Sequence, residues 1–246
     1  MKILSLESSA VACSVAVCED EKLLAQSFQH SGLTHSRTLL PMCGDLLKNC
    51  GLTLEEMDVI AVAAGPGSFT GLRIGVAAAK GLAWPGNKPC AGVSTLEAMA
   101  WTLAHMEGDI CAVMDARRHQ VYNARFQAGG GVLARLSPDR AISIEELAGE
   151  LVERKKTQIL VGDGAVLCYN ELTKRGLPVE LAPPHLRLQS AWGVARGALE
   201  LARADGLVTA AALSPVYHRL SQAERERLAK EKEMTVKNDK GEEQHG

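Results

Sequence analysis

The sequence predicts an α/β protein of two mixed-sheet domains, each sheet flanked by helices. Three observations predict it. The chain opens with three short alternating strands, it continues with alternating helical and extended segments, and the same order recurs after residue 105. With 246 residues, 46% of them hydrophobic, it can fill two cores of about 100 to 120 residues each. The expected division is 1–105, 106–220 and a charged tail over 221–246.

The opening strands are expected at residues 2–7, 11–18 and 22–29, separated by Ser8-Ser9-Ala10 and Glu19-Asp20-Glu21. From residue 34 to 50 the apolar side chains Leu39, Met42, Cys43, Leu46, Leu47 and Cys50 fall on one stripe of a helix, whose first turn Pro41 should kink or delay. Thr53 and Glu56 have the spacing of a capping box. A strand over 58–64 then runs into Gly65-Pro66-Gly67-Ser68, followed by a helix over 70–84, a strand over 89–93 and a helix over 94–105. In the second half, strands are expected at 109–115, 120–126, 132–136 and 158–161, and helices near 144–154, 165–175 and 189–204. Beyond Ser221 the residues are almost all charged or polar, the composition of a solvated helix fraying into disorder.

Composition narrows the function classes. Lys plus Arg number 27 against 29 Asp plus Glu, so the chain as a whole has no cationic excess to grip a phosphate backbone. Seven cysteines without a Cys-x-x-Cys pair read as small core residues of a reducing compartment. No uninterrupted apolar run reaches about 18 residues, so a soluble, cytoplasmic protein is expected, with no membrane partner.

The segment from Ala61 to Gly75 places a strand, a glycine turn and a helix in succession, an arrangement that can gather backbone N–H groups around an anion. It lacks the Gly-Lys-Ser/Thr of a phosphate loop and the Gly-x-Gly-x-x-Gly spacing. A packing role fits better, because Gly71, Gly75, Ala78 and Ala79 leave a nearly bare stripe on the second helix. Together with the bulky stripe of the first helix, it suggests a contact for a like-folded partner. The expected interface residues are Leu39, Met42, Cys43, Leu46, Leu47, Gly71, Leu72, Gly75, Ala78, Ala79 and Leu82, unless both stripes merely cover their own sheet.

The string Gly-Pro-Gly-Ser-Phe-Thr-Gly-Leu-Arg-Ile-Gly ending at Gly75, followed by Ala-Lys-Gly-Leu-Ala at 79–83, resembles the hallmark of the TsaB (YeaZ) family. The stretch 3–17, His35-Ser-x-x-Leu-Leu-Pro41, 92–97, Asp115-Ala-Arg-Arg118 with Val121-Tyr122, and Leu213-Ser-Pro-Val-Tyr217 share the resemblance, which spans about residues 1 to 220. It implies two actin-like (ASKHA, RNase H-like) domains. It further implies a non-catalytic scaffolding subunit in tRNA threonylcarbamoyladenosine synthesis, partnered by a TsaD-type catalytic paralogue and a TsaE-type ATPase. A homodimer is expected when the chain is alone, and tRNA is expected to be held only through the complex. No catalytic residue and no cofactor of its own are expected, with metal and ATP belonging to the partner subunits.

In the catalytic paralogue a His-x-x-x-His pair holds a metal, and this chain places Thr95 and Met99 at the matching positions, neither a good substitute ligand. His30 and His35 are five apart and do not share a helix face. Nucleotide-binding candidates are weak. Glu7 and Ser8 keep the first hairpin, although the family usually has Asp where Glu7 stands. Arg117 and Arg118 put guanidinium groups where close backbone approach would need glycine, so they could bind phosphate, bind a partner's carboxylates, or simply be solvated. Gly162, in Gly162-Asp163-Gly164, falls where the superfamily meets adenosine or at an ordinary strand-to-helix turn. Two alternatives stay open: an actin-like ATPase or phosphotransferase, and the peptide hydrolysis of the older glycoprotease label.

Overall fold

A computed structural model describes residues 1–154 and 156–219, so the tail expected over 221–246 lies outside the described residues. Strands β1 (Lys2–Glu7), β2 (Cys13–Glu19) and β3 (Lys22–Gln29) form the antiparallel meander. On its other side β1 pairs in parallel with β4 (Val59–Gly65), and β4 with β5 (Cys90–Ser94), giving the order β3-β2-β1-β4-β5.

The second sheet repeats this arrangement. Strands β6 (Gly108–Asp115), β7 (Gln120–Gly129) and β8 (Val132–Arg135) are antiparallel, and β6 pairs in parallel with β10 (Gln158–Val161), which pairs with β11 (Val179–Leu181). Exchanging β6, β7, β8, β10 and β11 for β1, β2, β3, β4 and β5 reproduces the order and sense of every pairing. The duplication legible in the element order is therefore a duplication of topology, the arrangement of the actin-like fold. Strand β9 (Arg140–Ser143) is an addition that pairs with β7, and neither it nor β11 was expected from the sequence.

Central strands of the first sheet are buried on both faces, which is why they read as continuous apolar runs rather than as alternation. Helices α1 (His35–Asn49) and α2 (Phe69–Ala83) cover one face, where Leu39, Met42, Cys43, Leu46 and Leu47 pack with Leu4, Leu6, Val15, Val17 and Val62. Helix α6 (Ala191–Arg203) covers the other, laying Ala191, Val194, Ala195, Ala198 and Leu199 against Ile3, Ala16, Val59, Ala61 and Val93. The segment 106–220 thus contributes to the packing of both sheets. A helix from the late part of the chain completes the first sheet, and its stripe at 191, 194, 195, 198 and 199 is cut to the small residues of that face. Helix α3 (Thr95–Trp101) packs on β6 and β7 of the second sheet through Leu96 and Met99, while α4 (Ile144–Val152) and α5 (Ala165–Lys174) cover that sheet's other face.

Some local expectations differ. Helix α1 starts at His35 with Pro41 inside it, so the proline does not delay the first turn. The Thr53 amide donates to Glu56 at 2.8 Å, but only a turn follows, because Asp58 must already accept from the Lys2 amide to begin β4. The helix expected over 94–105 ends at Trp101, where the Thr102 hydroxyl donates to the Met99 carbonyl at 2.7 Å and the chain continues in turns. Cysteines 13, 18, 43, 90, 111 and 168 are buried free thiols, and burial pushes Cys18, Cys43 and Cys111 up to about 12. Among the described residues no helix is long and apolar enough to cross a membrane.

Candidate functional site

The duplicated topology gives the two sheets equivalent strand ends. Strands β1 and β6 end in Glu7 and Asp115, and β4 and β10 run into Gly65 and Gly162, both at positive φ (139° and 114°). Glycine is required at these two turns by close approach within the chain: a side chain at Gly65 would overlap the Val216 carbonyl, and one at Gly162 the Val113 carbonyl. Gly162 therefore has a packing reason to be glycine.

Glu7 is fully buried. Its Oε1 accepts from the Ser9 amide at 2.6 Å, and its Oε2 has no hydrogen-bond partner among the described residues. Burial raises its carboxyl to about 7, and the charge of Asp163 adds to the rise. Asp163 is likewise raised, chiefly by burial, although Gln189 donates to its Oδ1 at 2.8 Å; Asp115 and Arg117 act on it in opposite senses. The charge of Asp163, in the turn after β10, thus acts on Glu7 at the end of β1. The Asp163–Gln189 pair was missed in the sequence, where Asp163 looked like part of a turn. Ser8 is committed elsewhere, its hydroxyl donating to the Gly71 carbonyl at 2.9 Å.

Arg117, Arg118 and His119 form the β6–β7 turn with φ of 65°, 56° and 56°, three consecutive left-handed residues without a glycine. Such residues cost of order 1–3 kcal/mol each and persist only where surroundings hold them. Here the Arg117 amide donates to Asp115 Oδ1 at 2.7 Å, and the Ile144 amide to the His119 carbonyl. All three side chains are exposed. These residues do not fit a nucleotide and its metal. The Glu7 carboxyl is sealed from solvent, the Ser8 hydroxyl is engaged, and the second turn presents side chains where a phosphate would need bare backbone. The positions matching the paralogue's metal pair are closed as well: Thr95 and Met99 are fully buried, Met99 among the core residues of the second sheet. His35 lies in α1 with Nε2 2.7 Å from the Ala10 carbonyl, and His30 follows β3. Among the described residues no group of three or more His, Cys, Asp or Glu is placed to hold a metal.

The helix stripes need a correction of reason. Gly71 and Gly75 are bare because the β1–β2 hairpin of the same chain lies on them: a side chain at Gly71 would overlap the Ser8 carbonyl, and one at Gly75 would stand 2.5 Å from Ser8 Oγ. Leu39, Met42, Cys43, Leu46, Leu47, Leu72 and Ala79 are likewise buried against their own sheet. Of the expected interface residues, Ala78 and Leu82 are half-buried and reach the surface. They line an apolar groove of about 570 Å³ between α1 and α2, together with Leu40, Ile74, Ala77 and the edge of Leu39. Leu40 is 50% exposed and lies off the buried stripe.

The segment around Leu213–Tyr217, noted in the sequence only as part of the resemblance, takes its place here. Residues 213–219 form a strap over the Gly65–Pro66 turn, with the Val216 amide donating to the Ala64 carbonyl at 2.7 Å. Tyr217 stacks on Phe69 at 4.0 Å between ring centres and an interplanar angle of 1°, and Arg73 donates from Nε to the Tyr217 hydroxyl at 3.1 Å. Arg219 then donates to the Ala116 carbonyl, tying the strap to the second sheet.

Comparison with known proteins fits this architecture. Residues 27–174 match the family model described as TsaD: tRNA N6-adenosine threonylcarbamoyltransferase. A relative from Bacillus subtilis (strain 168), called tRNA threonylcarbamoyladenosine biosynthesis protein TsaB, is 33% identical over 162 residues, 66% of this chain and 71% of the relative. The Escherichia coli (strain K12) protein of the same name is 34% identical over 67% of this chain and 72% of its own length. The chain belongs to the TsaB family. A solved structure of YeaZ from Pseudomonas aeruginosa superposes on this TsaB-family chain with a TM-score of 0.75 at 27% identity, covering 88% of this chain and 99% of that one. Another Pseudomonas aeruginosa structure, described as similar to peptidase YEAZ, gives 0.74 at 26% identity over 89% and 99%.

Proposed function

We propose that this chain is a non-catalytic subunit in the synthesis of N6-threonylcarbamoyladenosine in tRNA. It pairs through the α1–α2 face with a TsaD-type catalytic paralogue, and the pair admits a TsaE-type ATPase. Metal and ATP are held by those partners. Family membership supports the pathway, since the Bacillus and Escherichia relatives are named for that biosynthesis.

The observation that carries the subunit role is the exposed apolar groove of Leu40, Ile74, Ala77, Ala78 and Leu82, while Glu7 is buried and the Ser8 hydroxyl is engaged with Gly71. An apolar face of this kind gains by being covered, and a like-folded paralogue offers an equivalent pair of helices. Self-association through the same face is the expected state of the chain alone.

Reconstitution tests the proposal. The chain is mixed with TsaD-type and TsaE-type proteins, tRNA, ATP, threonine and an enzyme preparation that supplies threonylcarbamoyl-adenylate, and modified nucleoside is measured after digestion. The modification should disappear when the chain is omitted, and the chain alone should produce none. Modification that proceeds equally without the chain, or steady ATP turnover by the chain alone, would overturn it.

A further inference from the structure

Side-chain contacts join the strained β6–β7 turn, the strap and the start of α2, and arginines and aromatic rings lie along them, Phe69 and Arg219 half-buried and Arg73, Arg117, Arg118 and Tyr217 exposed. Arg73 lies 5.1 Å from the Phe69 ring and 5.9 Å from that of Tyr217. Tyr217 stacks on Phe69 and is 40% exposed. Two residues further on, Arg219 reaches the carbonyl of Ala116, and the next residues in the chain are Arg117 and Arg118. The guanidinium groups of Arg117 and Arg118 make no hydrogen bond or ion pair among the described residues, although the charge of Arg117 acts on Asp163. Asp115 is the acidic neighbour within the turn, and its Oδ1 already accepts from the Arg117 amide. A cationic and aromatic strip therefore runs from Arg73 through Phe69, Tyr217 and Arg219 to Arg117 and Arg118, on a chain whose net charge is −2.

We infer that this strip is a contact surface for an unpaired RNA segment, with Arg117 and Arg118 on phosphates and the Phe69–Tyr217 pair offering a face to an unstacked base. Three points favour it. Left-handed backbone at three successive residues with side chains is costly, and it is kept here at a turn that projects guanidinium groups outward instead of burying them. Guanidinium groups satisfy phosphate oxygens with two parallel N–H bonds. An aromatic pair held in place by an arginine adds nothing to recognition of a carboxylate, whereas it presents a ready platform for a base. The choice of RNA rests on the function proposed above. The inference departs from the expectation that tRNA is held only through the complex, because it gives this chain a contact of its own.

The test is fluorescence anisotropy of the full chain with a fluorescein-labelled RNA stem-loop carrying an unpaired loop, titrated between about 50 and 200 mM salt. Arg117→Glu with Arg118→Glu should weaken binding at least about tenfold and reduce the slope of log affinity against log salt by about 1.4, the share of two phosphate contacts on a single strand. Arg117→Lys with Arg118→Lys should keep that slope. Tyr217→Ala should weaken binding about tenfold and leave the slope unchanged. Thermal unfolding of each variant checks that it is folded. Equal affinity and slope for wild type and the double glutamate variant would overturn the inference. So would tighter binding to polyglutamate than to the stem-loop, which would assign the strip to an acidic protein segment. If RNA affinity is unmoved by the double variant while modification still requires the chain, only this inference fails. If modification proceeds without the chain while the variants weaken RNA binding as stated, only the proposed function fails.

Discussion

Gly71 and Ser8 meet backbone to backbone: the Ser8 hydroxyl donates to the Gly71 carbonyl at 2.9 Å, and the Ser8 carbonyl occupies the space a side chain at position 71 would need. Helix α2 is thereby clamped on the β1–β2 hairpin. Gly71→Ala should destabilise the fold by about 3 kcal/mol, or about 6–12 °C in Tm, because the obstacle is backbone and cannot swing away. Thermal unfolding checks this, and a Tm within about 2 °C of wild type would show that the clamp is loose.

Ala78 should behave differently. It lies on the same helix but faces the groove, so Ala78→Glu should leave Tm within about 2 °C of wild type and abolish both self-association and binding to the TsaD-type partner. Light scattering and a pull-down with that partner are the measurements. A large substituent at Gly75 is not an equivalent probe, since it would strike Ser8 Oγ and damage the monomer first.

The buried carboxyl of Glu7 makes stability depend on pH in a stated direction. The folded chain keeps this proton up to about pH 7, whereas the unfolded chain releases it near 4.5. The folded state therefore binds more protons between those values, and stability falls as pH rises through that window. Asp163, also raised, acts in the same sense. Glu7→Gln should remove most of this dependence, gaining up to roughly 3 kcal/mol over wild type at pH 8 and little below pH 4.5. Chemical denaturation of both proteins across pH measures it, and parallel profiles would refute it.

A side chain at Gly193 would overlap the Ala98 carbonyl where α6 crosses α3. Gly193→Ala should lift α6 from the first sheet and raise hydrogen exchange in β1 and β5 well before it disturbs β6 and β7. Uniform exchange through both sheets would contradict that order.

The fold was legible because each sheet begins with a meander whose strands alternate with short polar turns, and because β1, β2 and β4 are apolar enough to be recognised without an alternating pattern. What escaped has a common cause, which is that local spacing does not say what lies opposite. Gly71 and Gly75 advertised a close approach without revealing that Ser8, some sixty residues earlier in the chain, makes it. Gly193 and Gly197 carried the same signature four residues apart and passed unnoticed, although they pack on Ala98 and Val93. Asp163 and Gln189, like Phe69 and Tyr217, are distant in the sequence and become neighbours only in the fold. Leu40 was passed over because an exposed leucine falls outside a core stripe.

The return of α6 to the first sheet has a consequence for how the protein is made. Ile3, Ala16, Val59, Ala61 and Val93 are buried by a helix that begins at Ala191. A ribosome adding about 5–20 residues each second finishes the first sheet's strands several seconds before it delivers the helix that covers them. During that interval the nascent chain carries an open apolar face, and the second sheet, complete at Leu181, can close first although it is translated later. Order of synthesis and order of completion need not coincide, and the first half to be made is the last to have its apolar face covered.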